Sequence, residues 1–120
     1  MAVRIGINPL TWTNDDMPEL GGETPLETCL AEAREAGFVG VEMGHKFPRH
    51  ADELRPILAR HGLELVSGWY SARLLERSAA DEIRAVADHL GLLAEMGCAA
   101  MVFAEVSGCD HGRPMSERPV

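Results

Sequence analysis

Three times along the chain, apolar residues at helical spacing end in a glycine, one residue follows, and a β-rich run begins: "AGFVGVEM", "HGLELVSGWY" and "MGCAAMVFAEV". Gly37, Gly62 and Gly97 stand where a left-handed residue ends a helix. Ahead of the first, "TPLE" predicts Thr24 as N-cap, Pro25 at the first helical position and Glu27 completing a capping box. Leu26, Leu30, Ala33 and Ala36 then lie close to one face. A second helix, near residues 52–61, is shorter, with Pro56 in its first turn or kinking it. The third begins at Ser78 with Asp81 at N3, and Ile83, Val86, Ala87, Leu90 and Ala94 recur at helical spacing. A strand at Val3–Asn8 precedes them all, so the order is β-α-β-α-β-α-β.

That alternation implies parallel strands with right-handed crossovers. Helix-to-strand links are minimal, whereas strand-to-helix links are long and polar: "PLTWTNDDMPELGGE", "GHKFPRHA", the stretch around "SARLLER", and "SGCDHGRPMSERPV". Long loops in compact domains are usually functional, and ligands of parallel α/β proteins bind outside the carboxyl ends of the strands. The expected architecture is the first half of a (β/α)₈ TIM barrel, with four parallel strands and about three helices, or a small open α/β sheet. A full barrel takes about 250 residues. Residues 1–120 therefore read as the N-terminal half of one barrel domain in a longer enzyme. Such a half leaves its first and fourth strands unpaired, so these residues alone are expected to form a homo-oligomer or aggregate, and to bind no metal tightly.

Charge narrows the classes of function. A net charge of -8 disfavours a nucleic-acid partner, which needs clustered Lys and Arg. No apolar run approaches the ~18–20 residues that span a membrane. The start "MAVRIGINPL" lacks signal-peptide organisation. Cys29, Cys98 and Cys109 are odd in number and have no metal-ligand spacing, and Cys29 and Cys98 suit a core. Together these features predict reduced thiols in a cytoplasmic protein.

Candidate chemistry gathers in the long loops. In "VGVEMG", Val39, Val41 and Met43 alternate with Gly40, Glu42 and Gly44, which turns Glu42 into the mouth of the sheet as general base or hydroxyl acceptor, or else pairs it with a nearby Arg. Glu105 is its counterpart on the fourth strand. Lys46 is the only lysine of the chain, beside ten arginines. Its proton is movable where arginine's is not, which makes it an acid, base or oxyanion partner. His45 precedes it. Asn8 ends the first strand on the inward side with Gly6, and Trp12 either stacks on a sugar-like ring or roofs the sheet. The Asp15–Asp16 pair reads as a solvated turn more readily than as a metal site. Trp69 and Tyr70 end the third strand and line the same pocket, with core packing equally open to Trp69, and Asp110 and His111 in "GCDHG" reach toward a ligand. No phosphate loop, serine elbow or HExxH motif is present.

Over "INPLTWTNDDMPELGGETPLETCLAEAREAGFVGVEMGHKFPR", "LRPILARHGLELVSGWYS" and "VFAEVSG" the chain resembles the inosose dehydratases of bacterial myo-inositol catabolism. The resemblance implies a xylose-isomerase-like (β/α)₈ barrel with a divalent metal, manganese (Mn2+) or cobalt (Co2+). It implies loss of water from a small cyclitol, 2-keto-myo-inositol (scyllo-inosose), to give 3,5/4-trihydroxycyclohexane-1,2-dione. Asn8, Trp12, Glu42, Lys46 and Glu105 match the family's motif as pocket residues, with Lys46 and Glu42 as the catalytic pair and His45 and Trp69 beside the substrate. Metal ligands in that superfamily come mainly from later strands, so none is assigned up to Val120, and this piece alone is expected to be inactive. The rivals are a keto-sugar isomerase or epimerase on the same barrel and a non-catalytic sugar-binding module.

Overall fold

The structure is a computed structural model, and it describes residues 2–110 and 113–117. Four strands, β1 (Gly6–Ile7), β2 (Gly40–Met43), β3 (Glu64–Ala72) and β4 (Val102–Glu105), lie in sequence order and are parallel throughout. Between them run α1 (Leu26–Glu35), α2 (Ala51–Arg60) and α3 (Ala79–Glu95). The sheet curls into half of an α/β barrel with its helices on the convex side, as the alternation of elements predicts. A short 3₁₀ turn, Pro9–Thr11, follows β1, and another covers Met115–Glu117.

All three glycine stops form as read from the sequence. The amides of Phe38, Leu63 and Cys98 bond back to the carbonyls of Ala33, Leu58 and Leu93 at 3.1, 3.1 and 2.9 Å. One residue earlier, Gly37, Gly62 and Gly97 bond to Arg34, Ala59 and Ala94, each at 3.0 Å. This is the paired bonding of a Schellman stop, and it folds each chain reversal directly into the next strand.

Three local expectations are corrected. The first helix starts at Leu26 with Pro25 in the cap position, and no side chain caps it. Thr24 falls one residue ahead of that cap, in the preceding loop, where its amide bonds to the Gly21 carbonyl at 3.0 Å and its own carbonyl accepts from Lys46. Glu27, freed from the expected capping box, instead reaches Arg60 and His61 at the end of α2, 2.5 Å from each. Strand β1 is shorter than Val3–Asn8, although the Val39 amide still reaches the Ile5 carbonyl at 3.0 Å. In α3 the Ser78 cap and Asp81 pair as expected. The buried row, however, is Glu82, Val86, Leu92 and Leu93, while Ile83 and Leu90 stay 69% and 48% exposed. Pro56 sits in the second turn of α2 without ending it.

The core lies between the sheet's convex face and the helices. Val41, Met43 and Leu65 from the strands, with Leu63 just ahead of β3, meet Leu30, Ala33, Leu54, Leu58, Leu92 and Leu93 from the helices. Cys29 is buried and Cys98 partly so, as their composition suggested. Full burial of each leucine is worth about 1.5–3 kcal/mol. Tyr70 also belongs to this side, correcting its placement as a pocket residue. Its hydroxyl donates to Glu82 of α3, and its ring lies 5.7 Å from Phe103, its partner across the β3–β4 ladder. Phe103 therefore faces the helix layer, and Val102, paired with Trp69, is the inward residue of β4.

Candidate active site

On the concave side the floor is built by omission of side chains. A Cβ on Gly40 would stand 2.4 Å from Val66 Cγ1, and one on Gly6 would stand 3.1 Å from Val66 Cγ2. The two glycines let Val66 lie across β1 and β2. Above that floor, at the carboxyl ends of the strands, opens a cavity of ≈ 480 Å³. Asn8 just past β1, the end of β2 at Met43, Trp69 of β3 and Glu105 of β4 line it, with Asp15, Asp16 and Cys109 from the loops. The size is that of a small-molecule site.

A register shift between Val41 and Glu42 breaks the β2–β3 ladder, a device that re-aims side chains beside functional sites. Just past the shift, Glu42 Oε2 accepts a 2.6 Å hydrogen bond from Asn8 Nδ2. The other end of the Asn8 amide is used as well, since Oδ1 accepts from the Leu10 amide at 2.8 Å. Asn8 is thus locked in one orientation between a carboxylate and the following turn.

Two carboxylates overlook the cavity from the β1–α1 loop. Asn14 Oδ1 accepts from the amides of Asp16 and Met17, both at 2.9 Å, and the Asn14 amide bonds to the Leu20 carbonyl at 3.1 Å. The loop is a closed turn with Asp15 and Asp16 near its tip. Asp15 Oδ1 holds His45 Nδ1 at 2.7 Å and lies 3.4 Å from the His45 amide.

Among the aromatic candidates, Trp69 enters the cavity and Trp12 does not. Trp69 is 52% exposed, and its indole N–H donates to Ser71 Oγ at 2.9 Å. Trp12 packs against the core, and its indole N–H donates to Glu32 of α1 at 2.5 Å. Its indole is thus turned toward α1 and not into the cavity. Glu105 borders the cavity, yet both its oxygens are engaged by main-chain amides, of Leu74 at 2.5 Å and Ser107 at 2.7 Å. Hydrogen bonding from Ser107, then from Leu74, holds its carboxyl below the usual range. Glu105 ties two mouth loops together.

Lys46 is also turned from the cavity. Its ammonium donates to the carbonyls of Gly21 at 3.0 Å, Gly22 at 2.8 Å and Thr24. The site the structure brings together is therefore Asn8, Trp69 and Glu105, with Glu42 hydrogen-bonded to Asn8 and His45 to Asp15. Asp15 and Asp16 stand in an exposed turn, as read from the sequence, and they also line the cavity, a role sequence reasoning did not give them or Cys109. The length of the loop after β1 was the signal for the two aspartates, and none pointed to Cys109. Asp110 is described but does not line the cavity, and His111 lies outside the described residues.

No family model matches the chain. The rhizopine catabolism protein MocC of Rhizobium meliloti is 49% identical over 99% of the chain and 38% of its own length. Inosose dehydratases of Geobacillus thermodenitrificans and Clostridium perfringens are 42% and 40% identical, over 92% and 86% of the chain and 37% and 35% of their own lengths. Among the described residues, no helix is long and apolar enough to cross a membrane. The resemblance read from the motifs thus holds across almost the entire sequence, and the chain is a relative of the inosose dehydratases and of MocC that spans little more than a third of their length.

Proposed function

We propose that these residues form the β1–β4 side of a cyclitol site that dehydrates 2-keto-myo-inositol (scyllo-inosose) to 3,5/4-trihydroxycyclohexane-1,2-dione and water. The observation that supports it is the cavity at the strand ends, where carboxylates and an oriented amide surround the half-exposed face of Trp69. An all-equatorial cyclitol has that complementary form, with C–H faces above and below and hydroxyls around its rim. Trp69 offers the apolar platform. Asp15 and Asp16 accept rim hydroxyls, and His45 fixes the position of Asp15.

The reaction removes a proton from the hydroxylated carbon beside the ketone. That electron pair forms a carbon–carbon double bond as the neighbouring hydroxyl leaves with a proton as water, and the resulting enol shifts to the dione. Glu42 is the base of this reading, held in place by Asn8. The kinship implies a divalent metal that would polarise the ketone when bound. Among the described residues no three His, Cys, Asp or Glu side chains converge to hold one. The residues here do not fit that group, and no step is routed through it.

The test is to supply scyllo-inosose to the full protein and follow the product by mass spectrometry. The expected product has lost one water, and Glu42→Gln lowers turnover by about 10²-fold or more. A product of unchanged mass would identify an isomerase or epimerase instead. The 49% identity to a rhizopine catabolism protein favours a second reading, in which the substrate is a cyclitol of rhizopine breakdown. Turnover of that compound class with scyllo-inosose left intact would select it.

A further inference from the structure

Lys46 stands on the loop after β2, but its side chain serves the loop after β1. Its ammonium has three protons, and the carbonyls of Gly21, Gly22 and Thr24 take all three. Three carbonyl dipoles turned toward one point repel each other unless a cation lies between them. An ammonium is a compact charge with three rotatable donors, whereas the planar guanidinium fork is shaped for paired acceptors. A chain with ten arginines keeps its one lysine at the place where that difference matters.

The clamped segment is also short of space. Gly21 has φ +74°, and a Cβ there would stand 1.8 Å from the Trp12 carbonyl oxygen; one on Gly22 would stand 2.9 Å from the Pro18 oxygen. Gly21 directly follows Leu20, whose carbonyl closes the turn bearing Asp15 and Asp16. His45, the neighbour of Lys46, holds Asp15 itself. Two consecutive residues of one loop therefore grip the other loop at two points, one beside the cavity and one behind it.

We infer that Lys46 is a positioning residue, an internal cation whose carbonyl clamp fixes the β1–α1 loop and so sets where Asp15 and Asp16 stand over the cavity. It transfers no proton to or from substrate. Only the kinetic part of the following test rests on the proposed dehydration.

In the unaltered protein, acetylation of Lys46 by an amine-reactive ester, read by peptide mass spectrometry, should run about tenfold slower than that of a free peptide lysine, and substrate should not change it. Gly21→Ala should accelerate it. In Lys46→Ala, amide exchange should rise in residues 13–24 and stay unchanged in the four strands. KM should rise about tenfold with turnover nearly kept, which marks lost binding geometry rather than lost chemistry. Methylammonium, a cation that fits the vacated clamp, should restore KM, and Lys46→Arg should not. Rapid acetylation that substrate blocks would put the ammonium in the cavity and overturn the inference. A fall in turnover with KM and exchange unchanged would overturn it too. Should Lys46→Ala fail to fold, the acetylation rates of the unaltered protein decide. Should the wild type not turn over scyllo-inosose, acetylation and exchange still judge the clamp, and only the proposed reaction falls.

Discussion

On its convex side the sheet buries Val41, Met43, Leu63 and Leu65 against leucines from all three helices; on its concave side the same strands carry Gly6, Gly40, Val66, Trp69 and Val102. Val66, Trp69 and Val102 are 39%, 52% and 38% exposed, although all are apolar. The difference separates two tasks within one set of strands. Alternating residues place stability on one face and leave the other to a ligand, and to whatever covers the rest of the barrel interior. Large exposed apolar side chains gathered on one concave surface are a mark of such use.

The sharpest way to break this contrast is to cut into the convex side. Leu54, fully buried on α2, should cost about 2–5 kcal/mol when changed to Ala, read by urea unfolding. Next comes the concave floor. Gly40→Ala pushes a Cβ into Val66 and should cost about 1–3 kcal/mol, while Gly40→Ala combined with Val66→Ala should recover part of it. Additive losses in the pair would show that Val66 is not what the glycine accommodates.

Acid offers a third test, specific to the convex side. Glu82 is 4% exposed and accepts from the Tyr70 hydroxyl and the Arg73 amide, with Arg77 Nε at 3.1 Å. Tyr70 first, then the amide and Arg77, hold its carboxyl below the ordinary value of 4.5 against the effect of burial. A carboxyl lowered by folding stabilises the protein fully above its unfolded value, and that contribution is lost as pH falls through the folded value. The melting temperature of the wild type should therefore exceed that of Glu82→Gln at pH near 6 and converge with it in acid. A constant gap across this range would assign the effect of the substitution to packing.

The smallest effect on stability is expected at Trp69. Trp69→Ala should change unfolding free energy by about 0.5 kcal/mol or less, as for an exposed site, while weakening cyclitol binding measured by calorimetry. A large loss of stability with binding unchanged would return Trp69 to the structural side of the comparison.

What the sequence disclosed was local, and what it concealed was tertiary. Gly37, Gly62, Gly97 and Ser78 act within six residues of themselves, so their spacing announced the helix ends and the strands after them. Thr24 had every local sign of a cap, but Lys46, more than twenty residues away, takes its carbonyl. Ile83, Val86, Ala87, Leu90 and Ala94 form an apolar row on α3, yet of these Val86 is buried while Ile83 and Leu90 stay exposed, and Glu82, Leu92 and Leu93 complete the buried face. Asn8, Glu42 and Trp69 were legible because strand alternation fixes which face a residue takes. The Glu32 partner of Trp12, the carbonyls around Lys46 and the Leu74 amide on Glu105 were not, since these hydrogen bonds join segments that only the folded chain brings together.

The order β1-β2-β3-β4 carries a consequence for how the chain is made. Among the described residues each strand pairs only with its neighbours in sequence, so these three pairings wait for no distant segment. Low contact order of this kind favours rapid folding, and domains fold N-terminal part first as they leave the ribosome. The convex leucines of α1 and α2 can close over β1–β3 once the third strand has emerged, with each glycine stop already directing the chain into its next strand. Arrested nascent chains ending after α2 and after β3 should then differ sharply in protease resistance, the longer being the first to protect Leu54.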